Sequence, residues 1–498
     1  MNNIPDRIKK YAGIIGIFSV IFILAIVFHY PIQIVDAMSM EPAPGFDIKI
    51  SIWRVIFESF FGPLLFYLRA DQPLEEFTVM LIWIISLSLI ILIVNLLLNR
   101  KQNGFKYALN GFLGWLLIVP LIVCTWFGLL ILIIFAPLPA NTIVNNHENI
   151  ILLNTHCHSE HSHDGIISQE DQHEWHSFNG FDAFFITDHN HHERTLEAVT
   201  KQKNGDIPPH PLIICGEEFS GGNHMTLLGL KRNFITRGLT DQQVVDSAHG
   251  DNGIVIVAHW FDGERKSIPY FLDLNVDGFE IANQGYGLKY DQKIFDNIVN
   301  TCNENELMMV GAVDYHGYGR TCFVWNAIEI PGWHQMDYDQ KRESILEVLR
   351  RKDMNKLQVL LYNDRQVFKR NRIFMSPVHT LCSYFRTLGF WQVLSWLIWL
   401  FILRYFILQI FNSNRFKVGT IRSKHIIGVL ALLSSLYILI LGSILISKSQ
   451  HVSEHNEIYT EYGTIMLWGG TGFLMYLIVL IIIELRQKRL KGSQIDKI

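Results

Sequence analysis

The sequence lacks the patterns of several common protein classes. Its six cysteines are irregularly spaced and form no CxxC pair, which argues against a zinc ribbon or a regular disulfide framework. No block of basic residues with interleaved aromatics occurs and the formal net charge is -4, so nothing indicates nucleic acid as a partner. Charged residues make up only 18% of the chain against 49% hydrophobic residues, which favours a membrane protein.

Long apolar runs are abundant instead, three on each side of a mixed middle region. A helix needs about 20 apolar residues to cross roughly 30 Å of hydrocarbon. We predict transmembrane helices at about 11–30, 77–98, 111–136, 390–411, 426–447 and 463–485. Buried helices of a large soluble protein are the disfavoured alternative, because they are usually shorter and amphipathic. The predicted regions are 1–143 (membrane), 144–370 (middle domain) and 371–498 (membrane).

The stretch from Lys49 to Ala70 is apolar but contains Arg54, Glu58 and a Gly-Pro break. Each buried charge costs roughly 2.5 to 3.5 kcal/mol in lipid, so we interpret the stretch as interfacial or re-entrant. Lysine and arginine then concentrate in the loops on the side of both termini. The positive-inside rule predicts an integral protein of a bacterial-type inner or plasma membrane, with cytoplasmic termini and an extracytoplasmic middle domain.

The middle domain alternates short apolar runs with helical stretches. Runs such as "NIILLNTHCH", "DAFFITDH", "PLIICGEEF" and "GIVIVAHW" are typical of strands, and "HERTLEAVTKQ" is typical of a helix. Repeated strand-helix alternation predicts an α/β fold with parallel strands and crossover helices, either a barrel or an open sheet. Because the carboxyl ends of parallel strands share one face, side chains that follow the strands are expected to converge there.

Histidine is concentrated in this region, with fourteen of the 21 histidines between His147 and His259. Most predicted strands end in a metal-seeking side chain. In "THCH" the alternation of a strand points His156 and His158 to one face, where a single ion can bind both imidazoles. Carboxylates mixed with imidazoles suit zinc, manganese or iron(II).

The ordered motifs "THCHSEHSHDG", "TDHN", "GEEF", "HMTLLGL", "VAHW" and "VDYHG" resemble those of the PHP family, named for polymerase and histidinol phosphatase. The resemblance covers the middle domain and none of the membrane helices. It implies a distorted (βα)7 barrel, placed between the two sets of three helices, and a phosphoesterase that uses two or three divalent ions. By resemblance, the metal ligands would be His156, His158, Asp164, His189, Glu218, His224, His259, Asp314 and His316.

The implied ligands fall into three sets, the first two of which share a bridging carboxylate. His156, His158, Glu218 and Asp314 would hold one ion. Glu218, His224 and His259 would hold a second, and Asp164, His189 and His316 a third. The spacing after Gly216 favours Glu218 as the bridge and places Glu217 on the opposite face of its strand.

Four residues are candidates for a direct part in catalysis. His316 would orient the phosphate and leaving group, and Asp188 would orient a neighbour or a ligand histidine. Arg194 and Arg320 follow the TDH and DxH motifs, so each either binds a phosphate or is an ordinary surface arginine. The extra histidines His161, His163, His191 and His192 are expected in exposed loops, although one could serve as general acid.

The preferred function is a membrane-anchored phosphoesterase acting outside the cytoplasm on a phosphorylated small molecule or lipid-linked ester. Two alternatives stay open. One is an amidohydrolase-like enzyme that cleaves a C-N or C-O bond; such barrels often bridge metals with a modified lysine, and no strand here ends in lysine. The other is a membrane sensor or transporter component, which the scarcity of charge inside the apolar runs disfavours.

Overall fold

The computed structural model of the 498-residue chain describes residues 4–67, 74–260, 266–285, 291–365, 373–412, 420–452 and 456–495. The chain divides into two compact units. The first contains Met1–Pro73, Pro137–Leu400 and Ser453–Asn456, and the second contains Leu74–Ala136, Phe401–Val452 and Glu457–Ile498. The first unit therefore includes the predicted middle domain together with segments before and after it.

The strands are β1 (Gln33–Asp36), β2 (Phe46–Lys49), β3 (Thr142–Asn145), β4 (Ile150–Asn154), β5 (Ala183–Ile186), β6 (Leu212–Ser220), β7 (His224–Leu228), β8 (Ile254–Val257), β9 (Gly278–Asn283), β10 (Met308–Ala312), β11 (Val324–Glu329) and β12 (Leu357–Asn363). The helices are α1 (Ile4–Ile26), α2 (Ile52–Ile56), α3 (Glu58–Tyr67), α4 (Leu74–Phe135), α5 (Gln169–Phe178), α6 (Glu193–Asn204), α7 (Asp241–Gly250), α8 (Ile268–Asp273), α9 (Gln292–Glu304), α10 (Tyr338–Arg350), α11 (Ser376–Arg386), α12 (Phe390–Asn412), α13 (Thr420–Ser449) and α14 (Ile458–Ile495).

The first unit is an α/β structure built on a mixed sheet of ten strands. Their order is β1-β12-β11-β4-β5-β6-β7-β8-β9-β10. The pairs β4/β5, β5/β6, β8/β9 and β9/β10 are parallel, and helices such as α6 and α9 connect them as crossovers. The strands β2 and β3 form a separate antiparallel pair. The α/β class predicted from strand-helix alternation is thus observed.

The sheet departs from the predicted parallel pattern at β7, which runs antiparallel to both β6 and β8. Only Gly221, Gly222 and Asn223 separate β6 from β7. Three residues are enough for a hairpin but far too few for the crossover that a parallel pair needs. The described structure does not confirm a (βα)7 barrel, which remains a prediction.

The sheet curls so that the end of β10 returns to the chain that follows β4. Cys157 and Tyr315 form an isolated parallel bridge, and the Asp314 N–H donates to the carbonyl of His156 at 2.8 Å. The amide of Asn326 on β11 also bonds both backbone groups of Gly311 on β10, at 2.7 Å each. These contacts bring the carboxyl ends of β4 and β10, and the residues just beyond them, to one place.

The core of the first unit is a continuous set of buried aliphatic and aromatic side chains from the sheet and its helices. Phe184 and Phe185 of β5 and Phe279 of β9 are completely buried. In so filled an interior, truncating one large side chain to alanine typically costs about 3 to 5 kcal/mol. The strand ends that carry the polar residues are therefore held by a rigid support.

In the second unit, α4 is one continuous helical segment that reverses direction. The Trp126 indole donates to the carbonyl of Phe77 at 3.0 Å and the Trp115 indole to the hydroxyl of Ser88 at 2.9 Å. In a straight helix of 1.5 Å rise per residue, Phe77 and Trp126 would be roughly 70 Å apart. The chain must turn back between Ser88 and Trp115, where the sequence predicts a break between two apolar runs.

Four helical segments of the described residues are long and apolar enough to cross a membrane: Phe77–Leu98, Phe390–Leu408, Leu432–Ser449 and Ile458–Ile482. Two further apolar helices, Tyr11–Ile26 and Ile118–Ile131, are shorter within the described residues. A membrane protein is compatible with these helices. The count of six spans and their three-and-three arrangement are not confirmed and remain predictions.

The apolar stretch after Lys49 forms the two short helices α2 and α3. Its two charges pair with each other: the Arg54 guanidinium donates to the Glu58 carboxylate at 2.9 Å, and both side chains are buried. Tyr384 and Gln392 also donate to this carboxylate, at 2.7 and 2.9 Å. Pairing and hydrogen bonding offset the cost of burying these two charges. The interfacial or re-entrant placement of the stretch stays a prediction.

Candidate metal centre

The residues predicted to bind metal lie just beyond, or at the ends of, the strands. His156 and His158 follow β4, His189 follows β5, and His259 follows β8. The others lie in β6 (Glu218), at the start of β7 (His224), after β10 (Asp314, His316) and in the loop before α5 (Asp164). The structure brings all nine together in three overlapping groups, within each of which the possible ligand atoms lie no more than 4.8 Å apart.

The first group has the spacing of a tetrahedral site. The Nε2 atoms of His156 and His158 are 3.0 Å apart, and each lies 3.1 Å from Oε2 of Glu218. Oδ1 of Asp314 is 3.4 and 3.2 Å from the same two nitrogens. Ligands about 2.0 to 2.1 Å from a tetrahedral ion are roughly 3.3 Å apart, so these four donor atoms fit one ion between them.

Glu218 joins the first group to the second. Its other oxygen, Oε1, lies 2.7 Å from Nδ1 of His224 and 3.1 Å from Nε2 of His259. Oε2 also lies 3.2 Å from Nδ1 of His189. One buried carboxylate thus faces five imidazole nitrogens, and each of its oxygens belongs to a different group. A carboxylate placed in this way would be able to bridge two cations.

The third group surrounds Asp164. Its Oδ2 lies 3.2 Å from Nε2 of His189 and 3.1 Å from Nε2 of His316. The ring of His158 stacks between those of His189 and His316, with centroid distances of 4.5 and 4.3 Å. The structure therefore adds His158 to the three residues predicted for this group.

Protein partners orient two of the histidines, His156 and His316, so that Nε2 faces the cluster. The Nδ1 atom of His156 lies 2.7 Å from Oε1 of Glu280, and that of His316 lies 2.9 Å from the carbonyl of Asp314. Nδ1–H donation to these oxygens leaves the Nε2 lone pair directed inward. The other oxygen of Glu280 accepts from the His259 N–H and the Asn283 amide, at 2.8 and 3.0 Å. Glu280 therefore connects the ring of His156 to the backbone of His259.

The electrostatics reflect a buried mixture of carboxylates and imidazoles. Burial lowers the pKa of His156, but Asp314, Glu218 and Glu280 outweigh it and raise that pKa well above its usual value. Burial acts in the opposite sense on Glu218, yet the neighbouring His189 and His156 hold its pKa well below the usual range. A cation in the cluster would replace the protons that otherwise balance these carboxylates.

Two of the predicted ligands have left-handed backbone conformations. Asp314 has φ +54° and His259 has φ +26°, a region that non-glycine residues rarely adopt. The backbone bonds of Asp314 to His156 and of His259 to Glu280 hold both residues in place. Such local strain is concentrated at functional sites, where surrounding contacts determine the geometry.

The predicted catalytic residues lie in different surroundings. His316 is in the cluster, whereas Asp188 accepts from the N–H and hydroxyl of Ser159 at 2.6 and 2.7 Å and so fixes the residue next to His158. Arg194 is exposed and pairs with Glu197 at 2.8 Å, and Arg320 stacks on the ring of Phe178 at 4.6 Å. These contacts do not bring either arginine to the cluster, and their catalytic role stays a prediction.

The sequence interpretation was wrong about the surroundings of His192. It was expected in an exposed loop, but it is completely buried and bonds through Nδ1 to Glu217, whose other oxygen accepts from Thr236. The strand alternation that places Glu217 opposite Glu218 could have suggested a buried partner on that face. The remaining extra histidines are more accessible: His161 and His191 are half-buried and His163 is exposed.

Comparisons with known proteins return only distant structural likenesses. No protein-family model matches the chain, and no curated protein matches it by sequence. One solved structure is a two-domain protein from Bacteroides vulgatus that contains a predicted PHP-like metal-dependent phosphoesterase. It is 17% identical to this chain with a TM-score of 0.34, and the match covers 43% of this chain and 65% of that one. This chain therefore spans slightly less than two thirds of that protein.

Two further solved structures have similar statistics. PsfC from Pseudomonas syringae is 14% identical with a TM-score of 0.30, over 42% of this chain and 96% of that one. An amidohydrolase from Chromobacterium violaceum is 13% identical with a TM-score of 0.28, over 41% and 99%. Similarities of this size do not establish the function of this chain.

Proposed function

We propose that the chain is a metal-dependent phosphoesterase of the PHP type, with two or three divalent ions of zinc, manganese or iron at the candidate centre. One observation carries the proposal: Glu218 presents each oxygen to a different group of ligand atoms, and the four atoms of the first group have tetrahedral spacing. The nine ligands would be His156, His158, Asp164, His189, Glu218, His224, His259, Asp314 and His316.

When bound, adjacent divalent ions would acidify water and neutralise charge on a phosphoryl oxygen. The chain's own residues would hold the ions in place and leave one side of the cluster accessible to the ester. His156 and Glu218 lie at the closed side of the cluster, with side chains no more than 1% exposed. Asp164 and His224 lie on its open side, with 29% and 23% of their side chains exposed. We expect the phosphate ester to approach from this open side.

His316 is the best-placed residue to contact the ester beside the ions. Its side chain is 17% exposed, and its Nδ1–H donation to the carbonyl of Asp314 fixes the ring. Neither Arg194 nor Arg320 is needed in this account, since cations would supply the positive charge that a phosphate requires. Asp188 acts indirectly by holding Ser159 beside His158.

The finer architecture belongs to the same proposal. The strands β4 to β10 would form the distorted seven-stranded barrel, closed through the bridge between Cys157 and Tyr315. The apolar helices would anchor it in an inner or plasma membrane, with both termini cytoplasmic and the catalytic unit outside. A phosphorylated small molecule or lipid-linked ester would then be the substrate, with the bilayer as partner and no nucleic acid.

The test uses the full chain purified in detergent. With manganese or zinc, it should release phosphate or alcohol from p-nitrophenyl phosphate, bis-p-nitrophenyl phosphate or a phosphorylated lipid, and His156→Ala should lose at least one ion and nearly all turnover. Glu457→Gln, at an exposed position outside the cluster, serves as the control. Failure on all three substrates by a metal-loaded protein, or full activity of His156→Ala, would contradict the proposal.

A further inference from the structure

The loop that carries Asp164 is bonded by a residue almost 300 positions further along the chain. Asn456 lies two residues before α14, in a part of the chain that belongs to the first unit. Its side-chain nitrogen donates to the carbonyl of Ser162 at 2.8 Å and to the carbonyl of Gly165 at 2.7 Å. The two accepting residues flank His163 and Asp164 on either side.

The geometry of this contact requires an amide. A side-chain NH₂ group has two hydrogens, and a single nitrogen bonding two carbonyl oxygens uses both of them. An aspartate of the same shape has only acceptor oxygens when ionised, so it would face both carbonyls with like partial charge. Replacing Asn456 by aspartate therefore changes the hydrogen-bonding chemistry of the side chain and leaves its volume unchanged.

Other bonds also hold the loop, among them those from the Glu160 N–H to the carbonyl of Ile167 at 2.7 Å and from the Ile166 N–H to the carbonyl of His316 at 2.9 Å. The Ser162 N–H donates to the carbonyl of Ser159 at 2.9 Å, and a Cβ on Gly165 would come within 2.0 Å of that same oxygen. The hydroxyl of Ser162 donates to Oδ1 of Asp164 at 2.9 Å and lies 3.3 Å from Nδ1 of His158. Moving the carbonyl of Ser162 would thus displace the contacts that orient Asp164.

We propose that Asn456 is a positioning residue for the third metal group, Asp164, His189 and His316. By fixing the carbonyls on both sides of His163–Asp164, it holds Oδ2 of Asp164 toward the two imidazoles. The inference rests on the proposed function, since it assigns the site an ion. It also means that the chain from Val144 to Arg370 does not contain every residue that shapes the site.

The experiment counts ions per full-length protein in detergent by elemental analysis after equilibration over a series of free manganese concentrations. Wild type should load three ions. Asn456→Asp should lose about 10- to 100-fold in affinity at one site only, the range seen when partners of metal ligands are removed. Asn456→Ala should show a smaller loss in the same direction, and retention of two tightly held ions reports that each variant is folded.

Glu457→Gln is the matched control, because it changes the adjacent exposed residue and should load like wild type. Three ions with wild-type affinity in Asn456→Asp would overturn the inference and leave the proposed function intact. A wild type that binds two ions would overturn the inference alone, because it removes the third site. A wild type that binds none would overturn both.

Discussion

Two adjacent glutamates on β6 have opposite surroundings. Glu217 and Glu218 are both buried, and both face histidine. Glu217 meets one imidazole and one hydroxyl, those of His192 and Thr236, and the second nitrogen of His192 donates to the carbonyl of Arg232 at 2.9 Å. Glu218 instead meets nitrogens of five histidines.

The difference shows how the candidate metal site around Glu218 is distinguished from the buried hydrogen-bond network around Glu217. On the Glu217 side, donors and acceptors are matched, which is what a stable interior requires. On the Glu218 side, nitrogens of five histidines converge on one carboxylate, and the Nε2 atoms of His156 and His158 are only 3.0 Å apart. Imidazole nitrogens and carboxylate oxygens gathered this closely are the ligands that a divalent cation prefers.

The largest expected effect is that of Glu218→Gln. Glutamine keeps the shape but only one oxygen that can bind a cation, so at least one ion should be lost. Two-ion catalysis contributes several kcal/mol to the transition state, so turnover should fall about a thousandfold or more. Elemental analysis and phosphate release on the same preparations measure both effects, and near wild-type turnover with all ions retained would contradict the bridging role.

Glu217→Ala should have the complementary effect, on stability instead of metal content. Burial lowers the pKa of His192 but its bonds to Glu217 raise it overall, so the variant removes the acceptor of the His192 proton and also that of the Thr236 hydroxyl. Loss of the partner of a buried hydrogen-bonding group costs roughly 1 to 3 kcal/mol. Urea unfolding of the full chain should show this loss, while the ion count stays that of wild type; a lost ion would show that the two faces are not independent.

Glu280→Gln should weaken metal binding without abolishing it. Glu280 touches the cluster through Nδ1 of His156 and the N–H of His259. Partners of metal-binding histidines typically contribute 10- to 100-fold to affinity, or about 1.4 to 2.7 kcal/mol. Manganese titration measures the change, and an unaltered affinity would show that His156 does not need this carboxylate.

His176 provides a pH-dependent stability outside the cluster. Burial lowers its pKa to about 3; Nδ1 donates to the carbonyl of Gln172 at 2.8 Å and Nε2 accepts from Asn154 at 2.9 Å. The folded chain thus keeps His176 neutral while the unfolded chain protonates it below pH 6.5 or so. The free energy of unfolding should therefore fall as the pH falls from about 6.5 toward 3.

This residue alone should contribute a slope of about 1.4 kcal/mol per pH unit in that window. Urea unfolding of wild type and His176→Gln at pH 7, 6 and 5 isolates it as a difference between the two proteins. Parallel stability curves would contradict a neutral, buried His176.

Arg194→Ala should have the smallest effect. Its guanidinium is exposed and bonded to Glu197, and exposed pairs of this kind contribute at most about 1 kcal/mol. We expect turnover within about twofold of wild type, on the reasoning that surface substitutions remote from special features are nearly neutral. A selective rise in KM would instead restore the phosphate-binding role that the sequence left open.

The meeting of the candidate ligands was predicted from the sequence better than the architecture around them. The strand-end positions of His156, His158 and Glu218 followed from alternation and from the shared face of parallel strands, and the structure places these side chains together. The reversal at β7 was missed because the composition of a strand does not show its direction. The feature of the sequence that indicated the reversal was the three-residue link between β6 and β7. The surroundings of Arg194, exposed and paired with Glu197, could not be predicted from its nearness to a motif, and its predicted role stays a prediction.

Contacts between distant parts of the chain could not be predicted from single motifs. The pairing of Glu217 with His192 joins β6 to the residue just before α6, and Asn456 bonds a loop about 290 residues before it. Such partners are set by tertiary packing, which periodicity and spacing do not specify.

Electron paramagnetic resonance of the manganese-loaded full chain tests the central claim most directly. If the two oxygens of Glu218 bridge neighbouring ions, roughly 3.5 to 4 Å apart, the wild type should give the spectrum of an exchange-coupled pair, and Glu218→Gln should give only isolated manganese. A saturated wild-type protein that shows only isolated, uncoupled ions, or binds no manganese at all, would contradict the account.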